Sequence, residues 1–229
     1  MKENKKIIFF GRYDDKYSNE IYFYLKSKFK NVISFYCKSI DDNIDFSKVE
    51  NIKADYIFCF RFLFLIPYKI LKNATIAINF HPGPPEYRGV GCINFALYNN
   101  SKQYGITAHL MNNKIDNGKI LDVKRFRISK VDTVDTVLNF SYKLQVKQAK
   151  KIIKSICSTG NSYIKKLQLS NNKFFWSKNI YTRKQLNKLY QIPLRVSQKK
   201  LQIILRSTYT ENFKPYIIFL GNKFIYEKQ

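Results

Sequence analysis

What this chain lacks narrows its class before any motif is read. No stretch approaches the roughly 18 consecutive apolar residues of a membrane-spanning helix, so no membrane span is expected. The four cysteines, Cys37, Cys59, Cys92 and Cys157, form no CxxC pair and no Cys/His cluster. That argues against a zinc site, leaves no metal ligand set to name, and fits reduced thiols in a cytoplasmic protein. The opening MKENKKIIFFGRYDD has basic residues before an apolar run, but the run is only IIFF and no small-residue cleavage site follows. It reads as a first strand and not as a signal peptide. Histidine is scarcest among the proton carriers, with 2 residues, His81 and His109, both inside one apolar stretch.

Acidic residues are also few: 16 against 41 Lys and Arg, a formal charge of +25 over 229 residues. One consequence of such a charge is a field for anionic partners, whether nucleic acid, membrane lipid or phosphorylated small molecules. The lysines, however, are spread along the chain, and the richness in Lys, Asn, Ile, Tyr and Phe is what an AT-rich genome imposes. A compositional origin is favoured, with attraction of anionic substrates as a by-product. The 17 tyrosines and 19 phenylalanines sit mostly in strand-like alternations, where core packing accounts for them.

The pattern along the chain is one of strands alternating with helices. Strands are predicted at 5–11, 31–37, 54–62, 75–81, 105–111 and 119–128. Helices are predicted at 18–29, with Ser18 as N-cap, at 92–99 and at 133–156; a loop and short helix are expected around Pro67. This order implies an α/β domain with a mostly parallel sheet. From about 165 the character changes to a small β-rich appendage that holds Trp176, the single tryptophan, and ends in a hairpin signal around Leu-Gly-Asn-Lys. A division into 1–164 and 165–229 follows, with a soft boundary because no linker composition marks it.

Three polar residues stand out in the apolar centre. Asn79 and His81 lie two apart at the end of a strand, so they project to one face. Pro82 stops that strand and turns the chain into a loop, and sites in α/β sheets lie outside the carboxyl ends of strands. Asp116 follows one helix and one strand later, in the polar loop NNKIDNGK. Such a trio suits acyl transfer between nitrogens: a donor for the developing oxyanion from Asn79 or protonated His81, a proton acceptor in His81, and Asp116 to orient it. Asp116 on its own is also an ordinary turn residue in Asp-Asn-Gly. His109 reads more readily as a packed, hydrogen-bonded histidine than as a catalyst. Cys92, the nearest thiol, opens an apolar helix, which disfavours a covalent mechanism.

The segment NFHPGPPEYRG, followed by GITAHLMNNKIDNGKIL, resembles the core of the formyltransferases that use N10-formyltetrahydrofolate. That family includes glycinamide ribonucleotide, methionyl-tRNA and nucleotide-sugar enzymes, and the match runs from about residue 54 to 125. The resemblance implies a Rossmann-like catalytic domain, the triad Asn79, His81 and Asp116, and N10-formyltetrahydrofolate as co-substrate. It also implies a folate pocket with the backbone of Leu63 and Leu65 on one side and Asn112, Asn113 and Lys114 on the other. FFGRYDDKYSN lacks the glycine/serine phosphate loop of the glycinamide ribonucleotide branch. The short tail resembles the nucleotide-sugar N-formyltransferases, which act on 3- or 4-amino-dideoxyhexoses for lipopolysaccharide O-antigens. The implied substrate is dTDP-4-amino-4,6-dideoxyglucose. Arg12 is then a candidate for the pyrophosphate, and Tyr87 and Asn94 for the sugar. A homodimer through the apolar tail is implied too. Methionyl-tRNA formylation is the alternative, although a nucleic-acid partner is disfavoured.

Overall fold

Residues 2–228 are described by a computed structural model. The run Ile7–Phe10 is fully buried, and alternation divides it: Ile7 and Phe9 enter one core, Ile8 and Phe10 another. A strand apolar on both faces needs cover on both, which places it inside a sheet flanked by helices. This strand is β1 (Glu3–Arg12). After it come α1 (Lys16–Lys28), β2 (Phe29–Cys37), α2 (Ser47–Glu50), β3 (Ala54–Phe60), α3 (Tyr68–Leu71) and β4 (Ala74–His81). The chain continues through a short β5 (Arg88–Gly89), α4 (Cys92–Tyr98), β6 (Gln103–Leu110), β7 (Ile120–Arg127) and a long α5 (Val134–Thr159).

The main sheet has the order β2-β1-β3-β4-β6-β7. Its first four strands are parallel; β6 then runs antiparallel to β4, and β7 antiparallel to β6. Ile21 and Leu25 of α1, with Ala149, Ile152 and Ile153 of α5, cover one face. Val49, Ile70 and Leu71 from α2 and α3 cover the other. This is the Rossmann-like α/β arrangement the sequence implied. On β4, Ile78 and Phe80 belong to the first core. The two-residue period therefore sends Asn79 and His81 to the opposite face, at the strand's carboxyl end.

Two local readings change. The N-cap of α1 is Asp15, whose carboxylate accepts the Ser18 N–H at 2.8 Å. Ser18 lies inside the helix on its buried side, accepting the Arg12 N–H and donating to the Phe60 carbonyl. At the C-terminus the expected hairpin is present, as β9 (Tyr216–Phe219) and β10 (Asn222–Ile225). Its two-residue turn has Leu220 and Gly221 at φ 47 and 78, the left-handed pair that suits a twisted hairpin. The residues before it are largely helical: α6 (Asn161–Ser170), a two-residue β8 (Ile180–Tyr181), α7 (Arg183–Tyr190) and α8 (Gln198–Thr208). A reciprocal Thr182–Gln185 capping box starts α7, and the Ser197 hydroxyl caps α8, so side-chain caps decide for helix there. The 164/165 position falls within α6, whose Ile164 packs into the first core.

Candidate active site

The site assembles from the ends of β4 and β6 and the loops beyond them. Antiparallel register sets Asn79 opposite His109 and His81 opposite Thr107. The Asn79 Nδ2 lies 3.1 Å from His109 Nε2. His109 Nδ1 faces the Leu110 carbonyl at 2.8 Å. A carbonyl only accepts, which assigns the proton to Nδ1 and leaves Nε2 to accept from the Asn79 amide. Asn79 thus keeps a second amide hydrogen for another partner.

Asp116 reaches the histidines from the loop after β6. Its backbone is left-handed, φ 41, a conformation that aspartate tolerates better than most residues. Its Oδ2 accepts the Gly89 N–H at 2.9 Å and stands 3.4 Å from His81 Nδ1. Its Oδ1 is 3.6 Å from His109 Nε2. His81 Nε2 donates to the Tyr87 carbonyl at 3.0 Å. Gly89 has φ 90, and a Cβ there would lie 2.3 Å from the Tyr181 carbonyl, so only glycine lets this N–H reach the carboxylate. His81, His109 and Asp116 are all buried.

Burial alone would push the His81 pKa down. The Asp116 carboxylate, helped by the Cys92 thiol and the Tyr87 carbonyl, outweighs burial and raises it to about 9. Burial likewise works to raise the Asp116 carboxyl, but the His81 imidazolium and the Gly89 N–H hold it well below the usual carboxylate range. The resting pair at neutral pH is an imidazolium beside a carboxylate. Cys59 also borders the site, but burial pushes its thiol up to about 12, so it is no nucleophile.

Two cavities adjoin beside this cluster, sharing Arg12, Arg61, Pro82, Gly89, Val90 and Tyr142. The first, about 300 Å³, lies between the loop after β3 and the loop carrying Asp116. Leu63, Leu65, Asn112 and Lys114 line it, with Asn79, His81 and Asp116 at its end. Asn113, expected with them, is exposed and lines neither cavity. The Leu63 N–H is already taken by Cys37 Sγ at 3.3 Å. The second cavity, about 980 Å³, opens toward α7 and the hairpin. Arg12 borders both cavities, and Asn94 lines the second, where its Nδ2 donates to the Ser207 carbonyl at 2.7 Å. Tyr87 lines neither cavity; its hydroxyl pairs with Ser101, and it meets the site only through its carbonyl.

Sequence reasoning passed over three residues of this site. Arg61 borders both cavities at φ 60, paired with Asp15 at 2.5 Å and lying 3.6 Å over the Tyr142 ring. Arg88 is buried and donates to the Ile115 and Ser177 carbonyls. Trp176 stands edge-on to both imidazoles, with ring centroids 5.8 Å from His81 and 5.0 Å from His109. Arg88 had a signal, a charge inside the motif PEYRG. Arg61 and Trp176 had none, because their placement depends on contacts distant in sequence.

Comparison with known proteins fits this geometry. A family profile described as formyl transferase matches residues 26–153, more than half of the chain. A methionyl-tRNA formyltransferase of Hydrogenobaculum sp. is 34% identical over 128 residues, which are 54% of this chain and 41% of that protein. The chain therefore spans less than half the length of that relative. A crystal structure of a 4-N formyltransferase from Francisella tularensis superposes with TM-score 0.74 at 23% identity, covering 98% of this chain and 97% of that one. An N-formyltransferase from Helicobacter canadensis, solved with folinic acid and dTDP-3-aminofucose, gives TM-score 0.62 at 20% identity over 88% of this chain and 80% of that one. At such identities the structural likeness establishes the fold.

Proposed function

The chain belongs to the formyl transferase family, and from that premise we propose that it transfers the formyl group of N10-formyltetrahydrofolate to the amine of a nucleotide-linked amino-dideoxyhexose. The first candidate is dTDP-4-amino-4,6-dideoxyglucose, formylated in the cytoplasm for O-antigen assembly. The observation that carries the reading is that the cavity lined by His81 and Asp116 adjoins a second one, the two sharing Pro82, next to His81 in the chain, and Gly89, whose N–H binds Asp116. One reacting partner fits each, with the formyl carbon at the junction. The smaller cavity offers a folate apolar walls at Phe62 and Met111 and polar groups at Asn112 and Lys114. The larger offers a nucleotide sugar Arg12, Arg183 and Lys223 for its phosphates and Tyr190, Phe213 and Tyr216 as ring faces. The whole-length superposition on the Francisella 4-N formyltransferase supports a sugar amine as acceptor. The folinic acid and dTDP-sugar held by the Helicobacter neighbour support the two ligand classes.

In this proposal the amine nitrogen bonds to the formyl carbon, and the bond from that carbon to N10 breaks with its electron pair returning to N10. The amine loses one proton and N10 gains one. The free amide hydrogen of Asn79 donates to the oxyanion. The His81 imidazolium lends a proton toward the leaving nitrogen and regains one from the amine, so the His81–Asp116 pair ends unchanged. The Nδ1 to carboxylate distance of 3.4 Å is longer than a closed hydrogen bond, which leaves that proton available. We further propose that the tail, 165–229 by the division above, forms a homodimer contact. Its hairpin exposes Leu220 at 83%, Phe224 at 52% and Ile225 at 57%, apolar surface on open strand edges.

Mass spectrometry of formyl transfer tests the reading, with dTDP-linked 4-amino and 3-amino dideoxyhexoses, GDP-perosamine, glycinamide ribonucleotide and methionyl-tRNA offered side by side. One added formyl on a nucleotide sugar is the expected result. Transfer to methionyl-tRNA alone would overturn the sugar assignment; the Hydrogenobaculum relative and the +25 charge are what favour that second reading.

A further inference from the structure

Trp176 lies beyond the residues matched by the family profile, yet it touches the centre of the site. Its indole Nε1–H donates to the Gly118 carbonyl at 2.7 Å, two residues after Asp116. Gly118 lies so close to the end of β6 that a Cβ there would sit 1.7 Å from the Leu110 carbonyl, so no side chain fits at the position the indole holds. The strap that carries Trp176 is itself fastened to the loop between β4 and α4. Ser177 N–H donates to the Pro85 carbonyl, Val90 N–H to the Tyr181 carbonyl, and β8 pairs with β5. Tyr181 stacks on Phe95 with ring centroids 4.0 Å apart. Arg88 ties strap to loop, since its guanidinium donates to both Ser177 and Ile115 carbonyls and lies 5.9 Å from the indole.

We infer that Trp176 is a positioning residue for the proposed transfer: it pins the Asp116 loop through Gly118 and walls both imidazoles with its ring. The role rests on the reading of His81 and Asp116 given above. Two supports of the pair come from loops that the strap holds, the Gly89 N–H on Asp116 and the Tyr87 carbonyl on His81. The groups that face His81 are Asp116, the Cys92 thiol, the Tyr87 carbonyl and the Trp176 edge; His109 lies across Asp116 and Arg88 behind the indole. A loosened loop lengthens the separation of His81 and Asp116, and their attraction falls with distance.

The test compares wild type with Trp176→Phe and Trp176→Ala. The phenylalanine keeps an aromatic ring beside the imidazoles but loses the bond to Gly118 and part of the indole's surface. With 2 histidines in the chain, NMR titration of the rings is unambiguous once a His109→Asn variant assigns them. In Trp176→Phe the His81 titration is expected to move from about 9 toward 6.5. Its kcat falls by about 10-fold while KM for either substrate stays within about 2-fold, the pattern of a displaced reacting group. A purely structural tryptophan would lower the melting temperature and leave the titration where it was. An unchanged titration and kcat in either folded variant overturns the inference. If Trp176→Ala does not fold, the phenylalanine variant decides. If the wild type transfers no formyl group, the proposed function fails, and the NMR comparison still decides whether Trp176 positions the pair.

Discussion

At pH 7 a free imidazole is mostly neutral, whereas His81 is held as a cation by the buried carboxylate beside it. Three consequences belong to the residue scale. Replacing His81 or Asp116 by alanine is expected to leave the fold intact, by circular dichroism, and to lower turnover by at least about 100-fold. Near-wild-type turnover in either variant would remove the pair from the mechanism. In the proposed transfer the working form is the imidazolium, so kcat/KM should fall as pH rises through about 9. A profile that climbs through that range would instead make His81 a neutral base. Stability carries the same sign. The folded-state pKa of His81 lies above the free value of 6.5, so its contribution is complete below that pH and is lost as pH rises toward 9. Urea midpoints of wild type and His81→Asn should therefore converge at the alkaline end.

At the scale of elements, the loops at the carboxyl ends of β3, β4 and β6 carry the site, and α1 sets one of them. Asp15 does two things there: it caps α1 and it holds Arg61 beside both cavities. The two can be separated. Asp15→Ser keeps a good N-cap and drops the ion pair; Asp15→Ala drops both. The serine variant should exceed the alanine variant's stability by about 1 kcal/mol, the usual worth of a cap, and both should raise KM for the sugar by a similar factor. A KM that only the alanine variant changes would tie the effect to the helix and not to Arg61. The elements also show how far local sequence reaches. Alternation of apolar residues placed the strands of the sheet and its long helix within a few positions. Past residue 170 the same reasoning anticipated the hairpin but not α7 and α8, whose capping residues Thr182 and Ser197 stand outside any long apolar period.

For the whole molecule, charge and the apolar tail have measurable consequences. A nucleotide sugar carries few negative charges, so its KM should depend weakly on salt; tRNA binding would lose affinity steeply, as log K falls linearly with log salt. A steep slope for tRNA, with transfer to it, would give the +25 charge a nucleic-acid role. The exposed hairpin predicts a dimer in sedimentation at micromolar concentration, and a Phe224→Lys variant that sediments as monomer. Monomeric wild type would refute the contact.

The sequence by itself determined the alternation that builds the sheet and the common face of Asn79 and His81. It also singled out Asp116, in the polar loop NNKIDNGK beyond the following helix and strand. These follow from periods of two and 3.6 residues and from a strand stopped by proline, which act over a few positions. Only the tertiary structure decided that Asp116 lies between two histidines, that Arg61 turns toward both cavities, and that Trp176 returns to wall the pair. Such placements depend on which loops meet after long stretches of chain have folded back, and no local period encodes a contact between residue 176 and residue 81.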